Sequence, residues 1–429
     1  MVSRSTDETW FCLILSVSLA ISLSPDFSEL YSAIMTARER WIHAGQGNDV
    51  TAEPIPRAAY VLTGCVGVIG SNSLVLGPIA PEVSRSLGAA VPTVMMAAAA
   101  FGLGTAASAL FLARYIDRFG PRRMLRLALG SLAVALLLSA VAPVVAALVA
   151  AQLVAGMASG VALPAIYAGA AAMAPPGRES RTIGVVLIGW TLSMVAGVSL
   201  SAVLADFIHW RAVYGAVALL AVFAVAALSW MLPREEAAAR SAPMPLSALG
   251  LLGIKPLLFG CFAFMTAFYG IYGYLGDHLR HGLGQPVSAN GLAALVYGIG
   301  FGSAPLFDGM VHRIGARRLL PIVLLAVSAI YFLLALASSS FGAMLVVLAS
   351  LGLANHFGVN LLIVRLTAID SAQRGTILGL NSAVTYLAVS TGTASFGPLY
   401  STYGFATAAY AAMALALTAT MASAWHPRT

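Results

Sequence analysis

Long apolar stretches alternate with short polar breaks along most of this chain, from residue 58 to residue 424. A helix needs about 20 apolar residues to cross the roughly 30 Å hydrocarbon core of a bilayer. Twelve stretches approach that length, so the pattern predicts an all-α integral membrane protein with twelve transmembrane helices, here called spans 1 to 12. The spans are Ala58–Ala80, Val91–Ala113, Met124–Val141, Val145–Met173, Ile183–Phe207, Val213–Leu232, Pro256–Leu275, Val287–Phe307, Leu319–Ala337, Phe341–Leu366, Thr376–Tyr400 and Phe405–Ala424.

A basic heptapeptide occurs twice at equivalent places in this map. The segment Asp117–Arg123 lies between spans 2 and 3, and His312–Arg318, which follows 195 residues later, lies between spans 8 and 9. Such a repeat indicates two homologous halves. The predicted divisions are an N-terminal extension, short and interfacial or disordered (1–57), a six-helix bundle (58–232), a polar cytoplasmic linker (233–254) and a second, pseudo-symmetric six-helix bundle (255–429). A start at Met35 remains an alternative for the extension.

Composition excludes an ordinary water-soluble enzyme. The chain is 60% hydrophobic and 9% charged, with a mean hydropathy of +0.90, whereas soluble domains carry roughly a quarter charged residues. The net charge of +7 does not indicate nucleic-acid binding, because the basic residues are spread over short breaks between spans. Cys12, Cys65 and Cys261 are isolated in apolar surroundings, so no metal site, cofactor or disulfide is predicted.

Arginine placement supports the twelve-span map. From residue 38 onward, nineteen basic residues fall on one side of the map and three, Arg85, Arg211 and Arg280, fall on the other. Cytoplasmic loops carry such an excess of basic residues. Arginine greatly outnumbers lysine, which is typical of a GC-rich bacterial genome. We therefore predict a multi-pass protein of the bacterial inner membrane, monomeric, with both termini cytoplasmic.

The basic break after span 2 resembles the loop motif of the major facilitator superfamily, Gly-x-x-x-Asp-Arg-x-Gly-Arg-Arg. Ala113 replaces its leading glycine, and in the second copy Asp308 takes that place. The resemblance covers roughly residues 58–424 and implies a secondary transporter in which this loop closes the cytoplasmic side. The implied gate residues are Asp117, Arg118, Gly120, Arg122, Arg123, His312, Arg313 and Gly315. The alternative is that the arginines only set topology.

Other features bear on the branch of the superfamily. Trp210-Arg211 at the turn between spans 5 and 6 resembles the twelve-helix drug and sugar efflux branch, the arabinose-efflux-permease-like proteins. Two departures weaken the inference to a proton-driven antiporter. Gln152 stands where the family often has an arginine in span 4, and Gly197 lacks the proline that follows in the antiporter branch.

Repeat-built transporters bind substrate near the membrane midplane, between the halves. Polar and aromatic side chains at that depth are the candidate substrate contacts: Asn72, Trp190, Tyr269, Tyr272, Tyr297, Asn355, His356, Asn360 and Asn381. For the asparagines, hydrogen bonding between helices is the alternative. His356 is a candidate proton carrier, because histidine titrates near neutral pH; a neutral histidine bonded within the bundle is the alternative.

Two further motifs have competing interpretations. Asp277, His278, Arg280 and His281 follow span 7 and form either an outer gate or coupling site, or an ordinary solvated loop. The Gly298-x-Gly-x-Gly run in span 8 is not preceded by a strand, so close helix packing explains it better than a nucleotide loop.

The predicted function is secondary active transport of a small organic molecule by alternating access, in the export direction. Its predicted partners are that small molecule and the lipid bilayer, with protons as a candidate coupling ion and no nucleic acid. Uptake of a small nutrient or organic acid, by symport or facilitation, is the alternative. A sensor that has kept the transporter fold is a third possibility, whereas an enzyme is not expected because no nucleophile, metal site or acid–base pair is clustered.

Overall fold

A computed structural model describes residues 55–175, 179–231, 244–304, 314–370 and 373–425. The predictions for residues 1–54, His312 and Arg313 lie outside these ranges, as does most of the predicted linker. In the described part of that linker, Pro245–Gly250 forms a short 3-10 helix.

Every regular element in the described ranges is helical. Eight membrane helices are uninterrupted: α1 Arg57–Leu87, α2 Val91–Phe111, α3 Pro121–Ala140, α4 Val145–Met173, α6 Trp210–Met231, α8 Ser288–Ser303, α9 Ala316–Leu336 and α10 Phe341–Thr367. The element α5 consists of Glu179–Leu192, a π-helical turn Ser193–Val198, and Ser199–Phe207. The element α7 runs over Ile254–Asp277 and continues as a π-helical turn, His278–Gly282.

The last two membrane helices form one rod, Arg374–Ala424, which bends where Gly404 adopts φ 79° and ψ 179°. We call the parts before and after Gly404 α11 and α12. Ten helical stretches in the described ranges are long and apolar enough to cross a membrane. Because one of them contains both α11 and α12, and because α8 adds a further helix, the chain has the twelve predicted membrane helices.

Several helices extend beyond the predicted spans. The helix α1 continues past Ala80 to Leu87, through Glu82 and Arg85. The apolar pattern stops at the first charged residue, but charged side chains at the membrane surface do not end a helix. The helix ends instead at Gly88, which takes a left-handed conformation with φ 61°.

The two copies of the basic loop share one backbone geometry. Gly120 and Gly315 both have φ 82° and ψ 142°, and each directly precedes the helix that follows its loop. A positive φ favours glycine, because it has no Cβ. The glycines of the two copies thus share the same turn into the following helix.

Glycines bring pairs of helices into backbone contact in both halves. In the first half, Gly156 and Gly160 of α4 lie directly against carbonyl oxygens of α2. In the second half, Gly352 of α10 lies against the carbonyl oxygen of Tyr297 in α8, and Gly300 of α8 lies against that of Ala349. Small residues allow this approach in membranes, where no hydrophobic effect drives helices together. Packing, the interpretation favoured for the glycine run in α8, is confirmed.

Large apolar side chains remain exposed on the outer helices, as expected for surfaces that contact lipid. Examples are Leu127 and Val134 on α3, Phe223 on α6, and Leu325 and Phe332 on α9. The two ends of the bundle also differ. We call the end with Arg57, Arg122, Arg123, Arg317 and Arg374 the arginine-rich face, and the end with Arg85, Arg211 and Arg280 the opposite face.

The Trp-Arg turn joins three helices of the first half at the opposite face. Trp210 is buried, and the Arg211 guanidinium lies 4.4 Å from the centroid of its ring. Arg211 also donates to the carbonyl oxygen of Ala142 after α3, at 2.9 Å, and to Ser86 Oγ of α1, at 3.3 Å. Its role in this structure is to hold helix ends together.

Candidate substrate-binding site

Two buried amides pair with each other in the middle of the first half. Asn72 Nδ2 of α1 donates to Gln152 Oε1 of α4 at 3.2 Å, and Gln152 Nε2 donates back to Asn72 Oδ1 at 3.3 Å. Gln152 Nε2 also donates to Ser139 Oγ of α3 at 3.1 Å. All three side chains are less than 5% exposed. Gln152 therefore joins three helices, and the predicted contact residue Asn72 is one of its two partners.

An aromatic cluster occupies the corresponding depth in the second half. The ring of Phe268 in α7 lies 5.0 Å from Tyr269, 5.5 Å from Tyr272 and 5.4 Å from Tyr297 of α8. Tyr297 Oη accepts a hydrogen bond of 3.1 Å from Asn355 Nδ2 of α10. Four of the predicted contact residues, Tyr269, Tyr272, Tyr297 and Asn355, thus belong to one cluster.

Three hydroxyl groups meet where the halves face each other. Ser73 of α1 lies beside Tyr269 of α7 and Tyr386 of α11. Although Ser73 lies within interaction distance of both tyrosine hydroxyls, Ser73 Oγ and Tyr386 Oη are buried and make no hydrogen bond of ordinary geometry within the described protein. The same holds for Asn355 Oδ1 and for Asn381 Oδ1 of α11. Unpaired polar atoms cost free energy at this depth, so this group is suited to receive a polar ligand or water.

The remaining predicted contacts lie around this group. Trp190 of α5 donates from Nε1 to Tyr167 Oη of α4 at 3.2 Å. His356 of α10 meets the ring of Phe301 edge-on, with centroids 4.7 Å apart. Asn360 is half-buried one turn further along α10. The structure thus gives Trp190 a partner in the first half and His356 a neighbour in the second, and their contact with substrate stays a prediction.

The enclosed space at the cluster is small. A cavity of about 20 Å³ lies between α1, α7, α8 and α10, enough for about one water molecule. Its lining includes Pro78, Phe268, Tyr272, Asn290 and Tyr297. A substrate of more than a few atoms does not fit this cavity as it stands.

Several contacts join the two halves at the opposite face. Asn290 Nδ2 of α8 donates to the carbonyl oxygen of Pro78 in α1 at 2.8 Å. The Ser288 N–H donates to Asp206 Oδ2, in the last turn of α5, at 3.0 Å. A Cβ placed on Gly276 of α7 would lie 2.5 Å from the carbonyl oxygen of Gly77 in α1, so the two backbones touch.

A buried carboxylate lies beside these contacts. Asp277 is 9% exposed, and its Oδ2 accepts a hydrogen bond of 2.7 Å from Tyr400 Oη of α11. Its Oδ1 lies 2.7 Å from His281 Nδ1. The Nε2 of the neighbouring His278 lies 2.7 Å from the carbonyl oxygen of Ser338. The solvated-loop interpretation is wrong for Asp277, because α7 continues through this segment as a π-helical turn.

At the arginine-rich face, Arg122 donates from Nη2 to the Ser229 carbonyl oxygen of α6 at 2.9 Å. This bond joins two helices of the same half. The guanidinium groups of Arg118 and Arg123 lie 5.4 Å and 5.9 Å from the centroid of Phe119. The side chain of Asp117 is outside the described part of the chain, so the latch between the halves stays a prediction.

Comparison with known proteins identifies the family. The model of the Major Facilitator Superfamily matches residues 62–393. The chain belongs to this superfamily. Its members carry small molecules across membranes, and membrane transport of small molecules is therefore the general activity of this chain.

Individual relatives agree with this assignment. The MFS-type transporter YwfA of Bacillus subtilis is 25% identical over 375 residues, which cover 85% of this chain and 91% of the relative. A chloramphenicol resistance protein of Streptomyces lividans is 26% identical over 208 residues, covering 47% of this chain and 51% of the relative. The crystal structure of a D-xylose-proton symporter matches with a TM-score of 0.72 at 14% identity, over 85% of this chain and 96% of that one. That structure shows the shared fold.

Sequence reasoning missed part of the cluster. The contacts predicted from the sequence do not include Ser73, Phe268, Phe301 or Tyr386. A signal existed for Ser73, which follows Asn72 in a polar triplet within an apolar span. The phenylalanines gave no signal, because they are as apolar as the residues around them.

Proposed function

We propose that this superfamily member exports an uncharged organic molecule that has both an aromatic or apolar body and hydrogen-bonding groups. The substrate binds between the halves. It contacts the hydroxyls of Ser73, Tyr269 and Tyr386, and beside them the side chains of Tyr297 and Asn355. In this proposal the arginine-rich face is cytoplasmic, as the positive-inside rule indicates.

The observation that carries this proposal is the set of unpaired acceptors and hydroxyls next to an aromatic cluster. Among its described members, no carboxylate or guanidinium is present. A charged substrate would leave its charge uncompensated at that depth, at a cost of several kcal/mol, roughly. Rings pack against an apolar body, while the amide of Asn355 and the hydroxyls bind polar groups.

The export direction is supported by two independent features. The Trp-Arg turn resembles the efflux branch, and one relative is named a chloramphenicol resistance protein. Chloramphenicol is itself uncharged and aromatic, with hydroxyl and amide groups, so it suits the cluster and is a practical first probe.

The test measures retention of radiolabelled chloramphenicol in cells that express the chain, together with untargeted metabolomics of overexpressing and deletion cells. We expect lower retention of chloramphenicol or of at least one uncharged metabolite. The matched control is the Asn355→Leu variant, which keeps the helix and removes the free acceptor. Equal retention of every compound in both strains would contradict export, and accumulation in right-side-out vesicles would indicate uptake instead.

A further inference from the structure

The opposite face contains a group of ionisable side chains that substrate binding does not use. The α7 end carries Asp277, His278, Arg280 and His281, with the buried Leu279 between the two pairs. Facing them are Glu82 and Arg85 of α1 and Tyr400 of α11. Tyr274 of α7 stacks on Tyr400, with ring centroids 5.2 Å apart.

The Asp277 carboxylate is held from two sides. It lies at the end of Ile254–Asp277, where the helix dipole disfavours a negative charge. Tyr400 Oη donates to one oxygen, and His281 Nδ1 is 2.7 Å from the other. The His281 side chain is 61% exposed, whereas that of Asp277 is 12% exposed. A proton from the water at this face therefore reaches the imidazole first and remains next to a shielded carboxylate.

The same turn connects to the first half. Arg280 lies in the π-helical turn His278–Gly282, and its Nε is 3.9 Å from Glu82 Oε1 of α1. Glu82 also pairs with Arg85 at 2.8 Å. A contact that fixes the π-helical turn therefore also keeps the Arg280 side chain next to Glu82 of α1.

Backbone contact at this place is equally close. Pro81 has no N–H, so the carbonyl oxygen of Gly77 lacks its normal partner within the helix. That oxygen faces Gly276, one residue before Asp277. At this point α1 and α7 therefore meet backbone against backbone.

We propose that His281 and Asp277 form a proton-binding site at the opposite face, and that protonation of His281 stabilises the closed contact between α1 and α7. The bound proton converts a hydrogen bond between a neutral imidazole and a carboxylate into an imidazolium–carboxylate pair, which is roughly twice as strong. The pair fixes the π-helical turn and thus Arg280.

Resting on the proposed export, this site lets protons on the outer side regulate it; the proton binds when the outer side closes and returns to the same side when it opens. A proton taken from outside closes the outer side and returns the transporter towards its cytoplasm-facing state. No ionisable residue at mid-membrane is required for this step. The proton site itself does not depend on the direction of transport.

The test follows the distance between the halves and requires no substrate. Spin labels are placed on Ala90→Cys and Ser339→Cys, two exposed positions at the opposite face, in a chain whose Cys12, Cys65 and Cys261 are replaced by alanine. Double electron–electron resonance is recorded on the full chain in lipid nanodiscs at about pH 5.5 and about pH 8.5, on either side of the usual histidine pKa.

We expect the ratio of short to long distances to be about fivefold higher at the lower pH, as a charge-assisted bond replaces a neutral one. His281→Gln should remove this pH response, and Tyr400→Phe should weaken it while keeping the ring stack. His209→Gln, an exposed histidine at the same face, is the matched control and should keep it.

A distance distribution that ignores pH in the parent chain would overturn the proton site, as would a full pH response in His281→Gln. Export fails on different grounds, through unchanged compound retention. The two proposals are therefore tested separately.

Discussion

The two halves differ in how their buried polar side chains are hydrogen-bonded. Inside the first half, Gln152 pairs with Asn72 and with Ser139 and so links three helices. The second half joins Asn355 to Tyr297 but leaves Asn355 Oδ1 and Asn381 Oδ1 without a partner in the described chain. A closed polar network gives rigidity, whereas unpaired acceptors at depth are stable only when something else binds them.

We infer that the paired amides of the first half serve stability and that the unpaired acceptors of the second half serve transport. Gln152 occupies a place where the superfamily often has an arginine, and here its amide is fully used in holding α1, α3 and α4. The proposed binding site lies instead at the interface, where Ser73 of the first half faces Tyr269 and Tyr386 of the second. We therefore expect substitutions among the paired amides of the first half to change stability, and substitutions in the aromatic cluster of the second half to change transport.

The largest effect is expected for Asn355→Leu. Loss of the free acceptor and of the bond to Tyr297 should reduce export by roughly fiftyfold, equivalent to about 2–3 kcal/mol of lost substrate binding. Thermal unfolding in detergent should change little. The control is Ser350→Ala on the exposed side of the same helix, whose hydroxyl bonds only to Val346. Normal export by Asn355→Leu would mean that the unpaired acceptors do not contact substrate.

Gln152→Leu should show the opposite behaviour. It leaves the buried Asn72 amide without its partner and should lower the free energy of unfolding by about 2 kcal/mol. Export by the folded fraction should keep its KM. Because replacement of both partners by apolar groups removes the unpaired amide, the double variant Asn72→Leu/Gln152→Leu should be more stable than Gln152→Leu alone. A double variant that is less stable than either single variant would show that the two amides stabilise the protein through more than the hydrogen bonds between them.

The architecture was predictable because the membrane limits the choice of structure. A bilayer accepts long apolar helices. The heptapeptide repeat indicates that the two halves are homologous, and Gly120 and Gly315 occupy equivalent positions with the same backbone angles for that reason. The glycine run in α8 was also read correctly. Close helix packing in lipid requires small residues, and this requirement is local in sequence.

The facing of individual side chains was less predictable. A helix that is apolar all round, such as α2, gives no periodic signal of which side is buried. Asn72 was expected to contact substrate, but its partner Gln152 lies 80 residues away. Asp277 looked solvated because charged residues cluster around it. Its burial depends on Tyr400, more than 120 residues further along the chain.

A smaller effect is expected for Tyr297→Phe. The ring keeps its contact with Phe268, but Asn355 Nδ2 loses the oxygen to which it donates. Export should fall about fivefold, corresponding to about 1 kcal/mol for one hydrogen bond. Combining this variant with Asn355→Leu should add little further loss, since both remove the same bond. A fully additive double variant would show that the hydroxyl and the amide contact substrate independently.

The smallest effect is expected for His356→Gln. This residue lies inside the second half, with its ring edge-on to Phe301, and sequence reasoning made it the candidate proton carrier. If the proton binds at His281 instead, His356→Gln should change the pH dependence of export by less than about twofold, while His281→Gln should abolish it. The measurement is export by proteoliposomes under an imposed pH gradient. If His356→Gln abolished the pH dependence and His281→Gln left it unchanged, the proton would bind inside the second half, next to the substrate. The contacts at the opposite face would then serve packing alone.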